Sequence, residues 1–197
     1  MSILERDFYN RSALAVARDL LGCRLVRQMN GQRLAGLILE TEAYQGEEDL
    51  GCHASAGKTP RTSVMYGPPG HAYVYFTYGM HWMFNAVTGQ VDEPGAVLIR
   101  AIQPLEGQAL MTENRPYKAG KRGWTDGPAK LTQALAIDKA FNTVDLCTDA
   151  GDLWIEPGES IPERRVERSG RIGLNSVPEP WRSIPWRFNL LEGGLNG

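Results

Sequence analysis

"CRLVRQMNGQRLAGLILETEAY", residues 23–44, restricts this chain more than any other stretch, because an Asn-Gly pair separates two strand-like apolar runs. A two-residue type I′ turn needs positive φ at both central positions, which Asn and Gly tolerate best, so Asn30-Gly31 predicts an antiparallel hairpin. Side chains alternate along its second strand, placing Leu37, Leu39, Thr41 and Ala43 on one face and Ile38, Glu40, Glu42 and Tyr44 on the other. That second face turns polar at its end. Its glutamates either point to water at a sheet edge or serve a site. A glutamate with the usual pKa of about 4.3 is ionised at neutral pH and accepts a proton from water. The local pattern does not choose between Glu40 and Glu42.

"HAYVYFTYGMHWMFNAV" carries aromatic and β-branched residues on both sides of Tyr78-Gly79, which predicts a second hairpin with its tip there. "GAVLIRAIQPLEG" is mostly apolar and reads as a central strand broken at Pro104. Apolar residues recur at helical spacing from Arg11 to Leu21, and Gly22 is placed to stop that helix. "TDGPAKLTQALAI" opens another helix, with Thr125 or Asp126 as cap, Pro128 near the first position and Leu131, Leu135 and Ile137 behind. Residues 46–71, rich in Gly, Pro, Thr and Ser, are too long for an ordinary connection, and such loops are often functional. After Asp152, "LWIE", "RVERSGRIGL" and "WRFNL" alternate with Pro and Gly turns. Hairpin-joined strands with few helices predict an α+β fold, one mixed domain over residues 1–197 around a mostly antiparallel sheet.

With 197 residues, 42% of them hydrophobic and 22% charged, the chain can bury one core. Its net charge of −2 supplies no global attraction for polyanions, so a nucleic-acid partner would have to meet a local basic face. No run approaches the roughly 18 apolar residues of a membrane span, and "MSILERDFYN" has neither a secretory nor a transit profile, so an intracellular protein with no membrane partner is expected. Cys23, Cys52 and Cys147 are widely spaced and suggest reduced thiols. Cys52-His53 with His71 and His81 lacks zinc-site spacing, so no metal is expected. The absence of a G-x-G-x-x-G or Walker pattern after any strand removes the commonest nucleotide cofactors.

Tyr73 and Tyr75 share a strand face, whereas Tyr78 at the hairpin tip is either an ordinary exposed tyrosine or a wedge for stacked bases. Arg100 interrupts "AVLIRAI" and needs a partner, through an ion pair with Glu40 or Glu42 or through a ligand. Asn85 is a bulge residue or a donor aimed into a pocket. Gly127-Pro128-Ala129-Lys130 offers helix N–H groups and an ammonium that suit a phosphate, and Arg61, Lys118, Lys121 and Arg122 extend the same basic face or are plain solvated surface.

In order along the chain, "LETEAYQGEED", His53, "TPR" at 59–61, "YVYFTYGM" followed by Asn85, "VLIRAIQPLEG" and "GPAKLTQALAI" closely resemble the signature segments of the alkyladenine (3-methyladenine) DNA glycosylase family. The likeness runs from about Leu20 to "RIG" at 171–173 and "PWRF" at 185–188. It implies a monofunctional enzyme of base excision repair that flips alkylated or deaminated purines out of duplex DNA. The substrate class is 3-methyladenine, 7-methylguanine, ethenoadenine and hypoxanthine, and the product is an abasic site. On this resemblance Glu42 activates the water and Arg100 helps hold it. Tyr44 and Tyr75 stack on the flipped base, His53 takes part in its recognition, and Asn85 crowds the 2-amino group of guanine. Tyr78, with Met80 beside it, enters the minor groove, while Arg61 and Lys130 contact DNA. The family fold is a single mixed α/β domain without metal or organic cofactor. The implied partner is double-stranded DNA containing damaged purines. A monomer suits an enzyme that scans duplex, in the cytoplasm and on the nucleoid if the cell is bacterial.

Elementary chemistry agrees with that implication. Taking a base out of the stack costs a few kcal/mol, and base–aromatic stacking returns roughly 1–3 kcal/mol per base, so aromatic walls and an aromatic plug are what the task demands. Breaking an N-glycosidic bond builds positive charge on the sugar, which an ionised glutamate stabilises while orienting water. No lysine stands where a Schiff base would form. Ordinary glycoside hydrolysis by paired carboxylates needs groups flanking the bond, whereas Glu40 and Glu42 share one strand face. A non-catalytic nucleic-acid-binding domain using the same aromatic hairpin is the other alternative, and it makes Glu42 dispensable.

Overall fold

A computed structural model describes residues 2–117, 121 and 123–191. Its centre is an eight-stranded sheet ordered β3-β4-β5-β2-β1-β6, in which β8 also pairs with β2 and β7 with β8. The strands are β1 (Arg24–Met29), β2 (Gln32–Gln45), β3 (Ala72–Thr77), β4 (His81–Val87), β5 (Gly95–Glu106), β6 (Leu153–Glu156), β7 (Val166–Ser169) and β8 (Arg187–Leu190). Every pairing between them is antiparallel. The helices are short: α1 (Arg6–Tyr9), α2 (Ala13–Asp19), α3 (Gln108–Asn114) and α4 (Pro128–Ala134). The expected α+β domain with an antiparallel sheet is present.

Both predicted hairpins form for the expected reason. Met29 pairs with Gln32 across Asn30 (φ 52°) and Gly31 (φ 73°), the two positive φ values of a type I′ turn. At the second tip Tyr78 (φ 52°) and Gly79 (φ 68°) repeat that geometry, and the Met80 N–H donates to the Thr77 carbonyl at 3.1 Å. An L-residue with a Cβ pays about 1–2 kcal/mol for this conformation, so the turn holds Tyr78 under strain while it stands 81% exposed.

The helices cover one face of the sheet. Ser12 caps α2 by accepting from the Ala15 N–H, and Val16, Ala17 and Leu20 bury against Leu34, Ile38 and Ala43 of β2 and Val97 and Ile99 of β5. The Thr41 hydroxyl donates to the Ala17 carbonyl at 2.7 Å, and the Gln45 side-chain oxygen accepts from the Ala13 N–H at 2.7 Å. These bonds tie the functional end of β2 to a helix.

Several sequence expectations are corrected. Ile38 belongs to the helix-covered core with Thr41 and Ala43, not to the face of Glu40 and Glu42, because the register against β5 shifts between Ile38 and Glu40 and again between Glu40 and Thr41. A bulge there inserts an extra residue and reverses the alternation. Pro104 does not break β5, which runs on to Glu106; Pro104 lies opposite Gly36 at another register shift, where its missing N–H is tolerated. Neither Thr125 nor Asp126 caps α4: Gly127 occupies the cap, the Thr125 hydroxyl donates to the Ile102 carbonyl, and Asp126 pairs with Lys130. The helix expected over Arg11–Leu21 is shorter, Ala13–Asp19, with Gly22 at φ 82° just beyond it. The 46–71 connection carries 3-10 turns at His53–Ala56 and Ser63–Tyr66, and Cys52, Ala54, Met65 and Tyr66 bury beside Tyr73. Lys118 and Arg122 lie outside the described residues. Among the described residues no helix is long and apolar enough to cross a membrane.

Candidate active site

Strand register assembles the site. Glu42 on β2 faces Leu98 on β5, Leu98 faces Asn85 on β4, and Asn85 faces Tyr73 on β3. Alternation then sends Ala96, Leu98 and Arg100 of β5 to the face away from the helices, together with Tyr73 and Tyr75 of β3. A cavity of about 300 Å³ opens there, lined by Tyr44, His53, Tyr75, Asn85 and Arg100 among others. That volume is at the small end of ligand sites, which span roughly 300–1,000 Å³.

Glu42 lies one layer beneath this cavity, 0% exposed. Its Oε1 accepts from the Ile172 N–H at 2.7 Å, and its Oε2 accepts from the Tyr44 hydroxyl at 2.8 Å and from Arg100 Nη1 at 3.2 Å. These donors occupy three of the roughly four acceptor directions of a carboxylate, leaving one for water. Burial pushes the Glu42 carboxyl above the ordinary glutamate value of 4.5, against the opposing pull of Arg100, the Ile172 N–H and Tyr44. Burial opposes the Arg100 cation, but the Glu42 and Glu40 carboxylates outweigh it and raise its pKa.

Arg100 serves both glutamates, where one partner was expected. Its Nε donates to Glu40 Oε1 at 2.9 Å, and Arg187 Nη1 reaches the same oxygen at 3.0 Å. Glu40 Oε1 thereby serves two guanidinium groups, and its side chain is partly exposed, whereas that of Glu42 is fully buried.

The walls are aromatic. His53 meets Tyr75 edge-on at 4.6 Å between centroids, and Tyr73 lies 5.3 Å from Tyr75. His53 Nδ1 is 3.0 Å from the Tyr73 hydroxyl. Burial, reinforced by the Arg61 charge, depresses the His53 pKa from 6.5 to about 4, so the ring is neutral at physiological pH and offers one N–H and one lone pair. Asn85 is buried and donates through Nδ2 to the Tyr73 carbonyl at 3.0 Å, leaving its side-chain oxygen without that bond. Tyr78 reaches the cavity mouth, and Met80, 63% exposed, shares its turn without lining the cavity.

Arg61 is exposed, with its guanidinium 5.1 Å from the Tyr75 centroid. Lys130 donates to Asp126 at 2.5 Å and to the Gly123 carbonyl at 3.1 Å, so its ammonium is already engaged; from the same helix start only Pro128 lines the cavity. Lys121 is exposed.

Residues distant in sequence complete the site. Ile172, Gly173 and Leu174 form a wall, and Arg171 and Asp49 make a fully buried ion pair behind it with contacts of 2.5 and 2.7 Å. Nothing local in "SGRIGLN" or "GEEDLG" signals that pairing, since 122 positions separate the partners. Tyr73 lines the cavity as well, a role that only its shared face with Tyr75 hinted at.

A family model described as methylpurine-DNA glycosylase (MPG) matches residues 7–193, nearly the whole chain. The chain belongs to the methylpurine-DNA glycosylase family. Proteins named "Putative 3-methyladenine DNA glycosylase" are similar to this family member over almost their full lengths. The one from Carboxydothermus hydrogenoformans is 50% identical over 95% of each chain. That from Natranaerobius thermophilus is 50% identical over 96% of each chain, and that from Methanocella arvoryzae 47% identical over 95% of this chain and 92% of its own.

Proposed function

We propose that the protein is a monofunctional DNA glycosylase that flips alkylated or deaminated purines, of the 3-methyladenine, 7-methylguanine, ethenoadenine and hypoxanthine class, out of duplex DNA and hydrolyses the N-glycosidic bond. The observation that carries this reading is a buried carboxylate, Glu42, held by three donors directly beneath an aromatic cavity of about 300 Å³. A flipped purine stacks between Tyr44 and the Tyr75–His53 side, with neutral His53 able to donate to or accept from it. Asn85 crowds a 2-amino substituent and so disfavours guanine. As the bond to the base lengthens, Glu42 stabilises the cationic sugar and takes a proton from the attacking water, while the base leaves with the bonding electrons. Arg100 holds that water and keeps Glu42 ionised.

Tyr78 fills the gap left by the flipped nucleotide, and Met80 and Arg61 add groove and phosphate contacts. Lys130 is assigned a phosphate contact that requires exchange from Asp126.

The decisive assay incubates the protein with duplexes carrying hypoxanthine, ethenoadenine or methylated purines and measures alkali-labile abasic sites. Release from at least one duplex is expected. No release from any, with binding intact, points to a non-catalytic damaged-DNA binder. Strand nicks without alkali would overturn the absence of lyase activity.

Two further outcomes are expected. Because Glu42 acts as the anion and burial raises its pKa, kcat/KM should fall toward acid with its limb above pH 4.5. A limb at or below 4.5 would show that Arg100, the Ile172 N–H and Tyr44 outweigh burial, whereas a profile without an acid limb removes Glu42 as the base. Tyr78→Gly should leave Tm unchanged or raised, because glycine relieves the positive-φ strain, while excision falls by the equivalent of roughly 1–3 kcal/mol of stacking. Unchanged excision and lesion affinity would return Tyr78 to ordinary surface.

A further inference from the structure

We infer that the buried Asp49–Arg171 pair positions the catalytic carboxylate, with Arg171 backing the Tyr44 ring and fixing the backbone that aims the Ile172 N–H at Glu42. This inference rests on the glycosylase reading.

Neither side chain of the pair has any exposed surface. Arg171 does not line the cavity, but its guanidinium lies over the Tyr44 ring at 4.8 Å and the Trp186 ring at 5.2 Å. Tyr44 is therefore backed by a cation on its buried side, while it presents itself to the cavity. The same guanidinium donates to the Ala43 carbonyl at 3.0 Å and the Trp181 carbonyl at 3.2 Å. Asp49, its bidentate partner, also accepts from the Gln45 N–H at 3.2 Å and the Gly51 N–H at 2.9 Å. One ion pair thus joins the end of β2, the loop carrying Gly51, and the segment from Arg171 to Trp181.

Those connections converge on Glu42. Of its three donors, the Tyr44 hydroxyl hangs from the ring that Arg171 backs, and the Ile172 N–H is the next residue along. Only Arg100 is held independently, from β5. The other charged or titratable groups around Glu42 are Glu40 on β2, Arg187 opposite it on β8, and Tyr75 on β3; none is held by Arg171. Both Arg171-dependent donors favour the anion, so loosening them makes Glu42 easier to protonate. A plain staple would hold the loop without acting on Glu42. Lysine cannot substitute, because one ammonium does not reproduce a planar fork that reaches a carboxylate and two carbonyls.

The test uses the full-length protein and a hypoxanthine, ethenoadenine or methylated-purine duplex, whichever the wild type cleaves, in single-turnover experiments from acid to neutral pH. Asp49→Asn with Arg171→Met removes both charges and leaves no orphan ion; Arg171→Lys keeps the charge and loses the fork. Both variants should lose about a hundredfold in rate, the scale of a 1 Å misplacement, with the acid limb moved to higher pH and lesion affinity changed less than the rate. Wild-type rate and pH profile in a folded double variant would reduce the pair to a staple. If the double variant does not fold, Arg171→Lys decides by the same two readouts. Failure of the wild type to release any of the hypoxanthine, ethenoadenine or methylated purines overturns the glycosylase reading itself, and this inference with it.

Discussion

Glu42→Gln is expected to lower base excision by roughly 10²–10⁴-fold, the usual contribution of a positioned general base, while binding of lesion duplex persists. The amide keeps the shape of the side chain, and its oxygen still accepts from the Ile172 N–H, while Arg100 retains Glu40. What disappears is the negative charge beneath the cavity and the capacity to take a proton. Single-turnover release of the base, compared with gel-shift affinity for the same duplex, separates the two effects. Turnover within tenfold of wild type would exclude Glu42 and direct attention to Glu40. The geometry argues against that outcome, because Glu42 and not Glu40 bonds the cavity-lining residues Tyr44 and Ile172.

Asp49→Ala is expected to destabilise the fold by about 3–5 kcal/mol, since it leaves Arg171 buried and uncompensated. For a chain of this size that corresponds to a fall in Tm of about 6–20 °C by thermal unfolding. Most ion pairs here are partly exposed and worth far less; Lys58–Asp92, with side chains 55% and 73% exposed, is expected to contribute at most about 1 kcal/mol. A fall of less than about 2 °C on replacing Asp49 would show that water or a rearranged partner satisfies Arg171. The contrast with Asp49→Asn/Arg171→Met matters here, because removing both charges avoids the orphaned ion.

Neutral His53 adds a pH dependence to stability. Its folded pKa of about 4 lies below the unfolded 6.5, so between those values the unfolded chain binds more protons. Stability should therefore decline as pH falls from 6.5 toward 4, an effect that follows linkage.

The hairpins, the aromatic face and the carboxylate pair were legible in the residues because each is a local matter. Asn30-Gly31 supplies positive φ, Tyr73 and Tyr75 are two apart on one strand, and Glu40 and Glu42 likewise stay on one face. Ile38 escaped that logic because the bulge beside Glu40 is created by pairing with β5, and alternation read along a single strand does not detect an inserted residue. The order of motifs along the chain already resembles that of the alkyladenine DNA glycosylase family, and the family match over residues 7–193 agrees.

By itself the sequence determined which segments pair as hairpins, where the aromatic turn points outward, and which residue types are available for the chemistry. Tertiary structure alone decided that Glu42 lies in line with Leu98, Asn85 and Tyr73, that Arg100 serves both glutamates, and that Asp49 and Arg171 close the site from behind. The physical reason is range. Turn conformation and side-chain alternation are properties of a few adjacent residues, whereas burying a charge demands a partner that only the assembled sheet brings within hydrogen-bonding distance.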